Sequence, residues 1–370
     1  MHVSDARDEA LRALSICNAC RYCEGFCAVF PAMERRRVFD NSDLSYLANL
    51  CHNCRGCYYA CQYAPPHPFA INIPKTFAEI RSETYADYAW PRALGQAFRR
   101  NGVVVSLVTA GSIALVLVLS LLLQSNAALF APAAGPGGFY AVIPGSVMIV
   151  VGGVVFGISL LALLIGTIRF WRGMSGGQVP LSRPLWQAIG HVLTLRYLGG
   201  GGDGCNDRDD AFTQLRRWFH HALFYGFGLC FAATAVAAIY EHILGKLAPY
   251  PLLSAPVVLG TLGGIGMVIG GIGLTWVKAS GDMSPLSRKT VGGDVALLFL
   301  LLMTAVTGLA LLAWRDTSAM GMLLAVHLGF VLAFFLLMPY SKFVHGAYRF
   351  AALVRNAREV RDLPIQGSGG

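Results

Sequence analysis

Charged side chains are scarce in this chain of 370 residues. Asp, Glu, Lys and Arg make up 13% of it, about half the share found in a soluble domain. With 55% hydrophobic residues and a mean hydropathy of +0.55, that scarcity excludes an ordinary soluble enzyme and implies several membrane spans. The start, MHVSDARDEALRALSICNAC, lacks the basic-then-apolar pattern of a secretory signal, so the N-terminus is expected on the cytoplasmic side. In that reducing compartment ten cysteines do not read as five disulfides, and metal or cluster ligation is the better expectation. The chain also lacks a G-x-G-x-x-G turn between a strand and a helix, and it has no Walker loop. A flavin or nucleotide site must then belong to another protein.

The apolar residues are concentrated. Residues 1–100 are mixed and charged, whereas most of 101–340 is long apolar runs. Six stretches reach the roughly 20 residues that a helix needs to cross a bilayer: 102–124, 147–169, 218–240, 255–277, 292–314 and 319–340. Trp218 and Tyr240 bracket the third, as interfacial aromatics do. If both termini are cytoplasmic, 27 of the 29 lysines and arginines lie inside and only Lys246 and Arg315 lie outside. The positive-inside rule therefore predicts a multi-pass protein of the bacterial cytoplasmic membrane, N-in and C-in. The net charge of +9 is then a topology signal and implies no nucleic-acid partner. Three regions are expected: a cytoplasmic domain at 1–100, a six-span domain at 101–350 and a cytoplasmic tail at 351–370. Within the inside loop 170–217, Leu185–Leu198 is expected as a membrane-surface helix. The glycines at 199–202 and 204 resist regular structure.

Two runs repeat the spacing C-x2-C-x2-C-x3-C: Cys17, Cys20, Cys23, Cys27 and then Cys51, Cys54, Cys57, Cys61. This is the bacterial ferredoxin spacing for two [4Fe–4S] clusters, in which the fourth cysteine serves the other cluster. One set is therefore Cys17, Cys20, Cys23 and Cys61, and the other Cys51, Cys54, Cys57 and Cys27. Ala28 and Gln62 stand where ferredoxins carry proline. With helix-like sequence between the runs, that departure points to a helical ferredoxin of the kind in succinate dehydrogenase iron–sulfur subunits. Structural zinc on four thiolates is the competing reading. Cys230 reads as a small buried hydrophobe. Cys205 reads as an exposed loop thiol, with a redox or docking role as its alternative, and the basic patch Arg35–Arg37 is a candidate docking site.

Histidine inside a bilayer is usually functional. His327 and His345 are 18 residues apart, five turns if one helix carries both. His220 and His221 open the third span and His242 ends it. The layout predicts a cytoplasmic-side b haem between His220 or His221 and His345, and an outer one between His242 and His327. Asp294 is the clearest intramembrane acid. His191 reads as polar surface, and His52 and His67 as residues that tune or pack the cluster domain.

The cysteine runs, together with RRWFHHALFYGFGLCFAATAVAAIYEH, LGGGGDGCN and AVHLGFVLAFFLLMPYSKFVHGAYR, resemble the tricarballylate/citrate-utilisation protein B family over nearly the whole chain. The histidine spacing alone is similar to that of nitrate reductase gamma subunits, which hold two b haems. The family resemblance implies electron transfer from the reduced FAD of a partner dehydrogenase, one oxidising tricarballylate, to the quinone pool. The carriers would be two [4Fe–4S] clusters and one or two haems. The fold expected is all-α, a helical ferredoxin-like domain followed by a six-helix bundle of cytochrome b type. A related fused protein serves cobalamin synthesis, so the partner's substrate stays open. A transporter with a redox-sensing domain and an iron–sulfur regulator or assembly protein are the other classes.

Overall fold

The computed structural model describes residues 4–124, 129–130, 132, 135–175, 183–200 and 204–362. Gly201, Gly202 and the last residues of the expected tail lie outside them. The described residues form helices joined by turns and no named strand; the one β-bridge pairs Cys205 with Thr213. The all-α expectation holds.

Six helices have the length and apolarity to cross a membrane. They are α7 (Asn101–Leu123), α8 (Gly145–Ser175), α10 (Leu215–His242), α11 (Ala255–Ala279), α12 (Arg288–Trp314) and α13 (Met320–Leu337). Their surfaces carry exposed Leu107, Leu122, Val154, Leu164, Ile265 and Ile272, as a lipid-facing surface does. Before them come α1 (Ser4–Cys20), α2 (Val29–Glu34), α3 (Asn41–Leu50), α4 (Gly56–Tyr59), α5 (Ile73–Asp87) and α6 (Arg92–Ala97); α9 (Arg183–Leu193) and α14 (His345–Asp362) complete the set. Local chemistry starts two of the helices of the cysteine region. The Asp40 carboxylate accepts from the Asp43 N–H ahead of α3 at 2.8 Å, and Asn72 accepts from the Lys75 N–H ahead of α5, with proline in the first turn.

One core joins the cysteine region to the spans. Leu14, Phe30, Leu47 and Phe77 pack with Phe170 and Met174 at the end of α8 and with Tyr348, Ala352 and Leu353 of α14. The boundary expected at residue 350 therefore falls inside α14, and residues 351–357 are core where a tail was expected. A buried ion-pair network reinforces this. Arg36 and Arg355 both pair with Asp43 and Glu359, and both guanidiniums lie over the Tyr46 ring, at 4.9 and 4.1 Å. Arg36 is thus committed inside the protein, and the expectation of an Arg35–Arg37 docking patch fails at its central residue.

Helices α10 and α11 approach through glycine. A Cβ at Gly270 would stand 2.5 Å from the Leu223 nitrogen, and one at Gly226 would stand 2.7 Å from the Gly263 oxygen. Small residues permit such backbone contact where lipid provides little drive for helix association. A Gly270→Val variant is expected to lose about 1–3 kcal/mol through overpacking and to unfold at lower temperature in detergent. Gly153→Ala, which meets nothing within 4 Å, should leave the unfolding temperature unchanged.

Candidate functional site

The cysteines ring two adjoining recesses. Cys17, Cys20, Cys23 and Cys61 line the first, and Cys27, Cys51, Cys54 and Cys57 the second; Cys57 also touches the first. The turns that wrap them use left-handed backbone at non-glycine residues, with φ of 54° at Arg21, 57° at Asn53 and 69° at Arg55. Each such residue costs about 1–2 kcal/mol. The turns also aim donors at sulfur, with the Asn53 N–H 3.4 Å from the Cys51 Sγ.

Burial first, and then the neighbouring Cys61, push the Cys17 and Cys23 thiols up to about 12. Burial, Cys54 and Cys51 likewise raise Cys27. Four thiolates so placed are mutually unfavourable unless a shared cationic centre compensates them. Among the described residues, no three Cys, His, Asp or Glu side chains converge on a single-ion site. Each recess instead gathers four thiols on its walls, the donor type that an iron–sulfur centre takes.

The second recess is the deeper one and adjoins the spans. Cys51 and Cys54 are 8% and 7% exposed. Cys205 is fully buried in a small core with Cys54, Leu195 and Leu198, and its Sγ donates to the Leu198 carbonyl. The exposed thiol expected at 205 is therefore a packing residue. The glycine run explains how the loop gets so close: Gly200 has φ +55°, and a Cβ there would stand 2.5 Å from the Gly204 oxygen and 3.5 Å from the Cys54 Sγ. His191 is buried too, its ring 5.1 Å from Tyr197, so α9 turns one face into the protein and leaves Trp186 outside.

Two arginines bind the second cysteine run to the spans. Arg216, in the first turn of α10, donates to the Asn53 carbonyl at 2.5 Å and pairs with Asp207. Arg349, one turn into α14, donates to the Cys51 carbonyl at 3.0 Å. Each lies four residues from a histidine, His220 and His345 respectively, so each helix presents arginine and histidine on one face. The two histidine rings are 6.2 Å apart, centroid to centroid, at 80°. Two imidazoles held this far apart could hold one metal between them, at metal–nitrogen bonds of about 2 Å. The His345 Nδ1–H donates to the Lys342 carbonyl at 2.5 Å, which leaves Nε2 outside that bond. Burial and then Arg349 hold His345 well below its usual range, which favours the neutral ring.

The other histidines fall elsewhere. His221 lies against Tyr225, ring centroids 5.7 Å apart, so the structure brings His220, not His221, to His345. The single helix expected to carry both His327 and His345 does not exist. Helix α13 stops at Leu337, the chain turns through Pro339, and α14 starts afresh at His345, since proline lacks the N–H and clashes with a continuing helix. Gly308 packs against the His327 ring, whose Nδ1 is 3.1 Å from the Thr307 hydroxyl of α12. His242 is exposed at the last residue of α10. The outer histidine pair is therefore not assembled. Asp294 is held between Lys278 and Lys342, each at 2.5 Å. Sequence reading missed Arg216 and Arg349, although their four-residue spacing from the histidines was a usable signal.

A buried hydrogen bond from a charged donor contributes about 1.5–3 kcal/mol. Arg216→Ala and Arg349→Ala should therefore each speed amide hydrogen exchange in residues 51–57 by on the order of tenfold or more. Exchange in α1 should not change.

Comparison with known proteins agrees with this anatomy. The family described as Citrate utilization protein B matches residues 96–364, and its Fer4-like domain matches residues 10–87. An Escherichia coli protein named Citrate utilization protein B is 50% identical over 376 residues, spanning 100% of this chain and 96% of that protein. No solved structure matches. A Fer4-like domain built on two cysteine runs, joined to six apolar helices, suits iron–sulfur electron transfer at a membrane, and the chain belongs to the citrate utilization protein B family.

Proposed function

We propose that this protein carries electrons from the reduced FAD of a partner dehydrogenase, one acting on tricarballylate or a related tricarboxylate, to membrane quinone. The observation that carries the reading is the order of the donor sets. An outer ring of Cys17, Cys20, Cys23 and Cys61 adjoins an inner ring of Cys51, Cys54, Cys57 and Cys27. Arg349 ties the inner ring to the helix that bears His345. When bound, two [4Fe–4S] clusters on the rings and one b haem between His220 and His345 supply one-electron carriers between a two-electron donor and the quinone.

The chain's own residues do the rest. Tyr22 and Phe69 are exposed near the outer ring, and Gln62 reaches the Cys20 Sγ at 3.9 Å, so this rim is open to a partner. Leu195, Leu198 and Cys205 keep water from Cys54. His220 and His345 face each other from separate helices, the second fixed by the Lys342 carbonyl. Asp294, neutralised by two lysines, is no open ionisable path of the sort a transporter uses. The lysine and arginine distribution supports the cytoplasmic membrane, with both termini and the cysteine domain inside.

Optical spectra with iron, acid-labile sulfide and haem analysis test the reading. His345→Ala is expected to lose the dithionite-reduced b-haem band and keep its iron–sulfur content; full haem content would refute the ligand. Cys54→Ser should keep haem and lose quinone reduction with the flavoprotein.

The crossed assignment has its own signature. In electron paramagnetic resonance, Cys27→Ser should perturb the same cluster signal as Cys54→Ser, and Cys61→Ser the same signal as Cys20→Ser. Pairing of Cys27 with Cys20 would overturn it.

A further inference from the structure

One recess edged by arginines has no part in the pathway above. It opens where the connection from α5 to α6 crosses the end of α8, and it holds about 690 Å³. Tyr88, Trp90, Pro91, Arg92, Arg169 and Arg172 line it. The wall depends on glycine: a Cβ at Gly173 would stand 2.5 Å from the Tyr88 hydroxyl, and one at Gly166 would stand 3.3 Å from the Tyr88 carbonyl. The connection therefore lies directly on α8, and Arg169 and Arg172, three residues apart on one helical face, border it.

Among the described residues, no ion pair joins the three guanidiniums to an acid. Arg169 donates to the Ala89 carbonyl at 3.1 Å, and Arg92 donates to the Asp87 carbonyl at 3.1 Å. Arg172 has no hydrogen-bond or ion-pair partner among the described residues. The nearby Asp87 carboxylate is turned to Arg7, at 3.6 Å. Residues 171–183 include two arginines and no acid. Directly below, α8 shows the bilayer Leu161, Leu164 and Ile168, which are 48%, 54% and 42% exposed, and α6 adds Leu94.

We infer that this recess binds the phosphate head of an anionic phospholipid in the leaflet on the cysteine-domain side. Guanidinium forks match phosphate oxygens in pairs, Trp and Tyr favour the headgroup level, and basic recesses at helix ends suit such heads. The acyl chains run along Leu164 and Ile168. The head joins α8 to the end of α5, and so holds the cysteine domain on the bundle.

The test uses the full-length protein in nanodiscs of phosphatidylcholine alone or with phosphatidylglycerol. Thermal unfolding and native mass spectrometry of retained lipid are the readouts. The expected result is that phosphatidylglycerol raises the unfolding temperature and stays bound on release from the disc. Arg172→Gln removes no bond made among the described residues, so it should fold as wild type does and retain that lipid about fivefold less. Adding Arg169→Gln should abolish both effects, whereas Arg99→Gln with Arg100→Gln, outside the recess, should preserve them. Equal retention by wild type and the Arg169/Arg172 double variant overturns the site. Stabilisation by millimolar inorganic phosphate in phosphatidylcholine discs, matching that by phosphatidylglycerol, overturns the lipid as source and leaves a soluble phosphate ligand.

Discussion

The contacts on which the rest of the structure depends are two hydrogen bonds, from Arg349 to the Cys51 carbonyl and from Arg216 to the Asn53 carbonyl. They join a loop held in left-handed backbone to the first turns of two helices. A guanidinium gives up hydration to enter such a site, so it is stable only where carbonyls and carboxylates replace the water. Asp207 supplies the carboxylate for Arg216. For Arg349 the supply is thinner, and burial pushes it down to about 10. That weak compensation suits a neighbour carrying negative charge, which four thiolates around an iron–sulfur core provide.

Geometry follows from the same two bonds. Four residues of helix rise about 6 Å, so each arginine on a cysteine-run carbonyl sets its histidine one turn away. The histidines meet at 6.2 Å because both helices are referenced to one short segment, residues 51–53. An α10 alone or an α14 alone would leave the ring separation free. The Lys278–Asp294–Lys342 cluster then fixes the other side of His345, since the carbonyl that takes its Nδ1–H belongs to Lys342.

Legibility in the sequence followed the range of the interaction. The spans were readable to within a few residues, because a bilayer imposes one length on any apolar helix. The two cysteine runs were readable as well, because the spacing within each run is local. What could not be read were the long-range decisions. Residues 351–357 look like a basic tail, but Ala351, Ala352, Leu353 and Val354 of α14 belong to one core with Leu47 and Phe77 of the cysteine domain. Cys205 looks like a loop thiol, yet glycines with positive φ fold the loop back onto Cys54. Histidine periodicity misled at Pro339, where counting turns assumed a helix that the proline ends.

That broken helix has a physical consequence. Had α13 run on to residue 345, both histidines would have been carried by one rod, and the position of His345 would have depended on the tilt of a whole span. Because α14 starts anew, His345 is placed by the cysteine domain through Arg349 and the shared core, while α13 is free to pack His327 against Thr307. The cysteine rings and the His220–His345 pair are therefore tied to one another by direct contacts. Their separation is set by these contacts more than by the tilt of any one span, and it governs the function proposed for the chain.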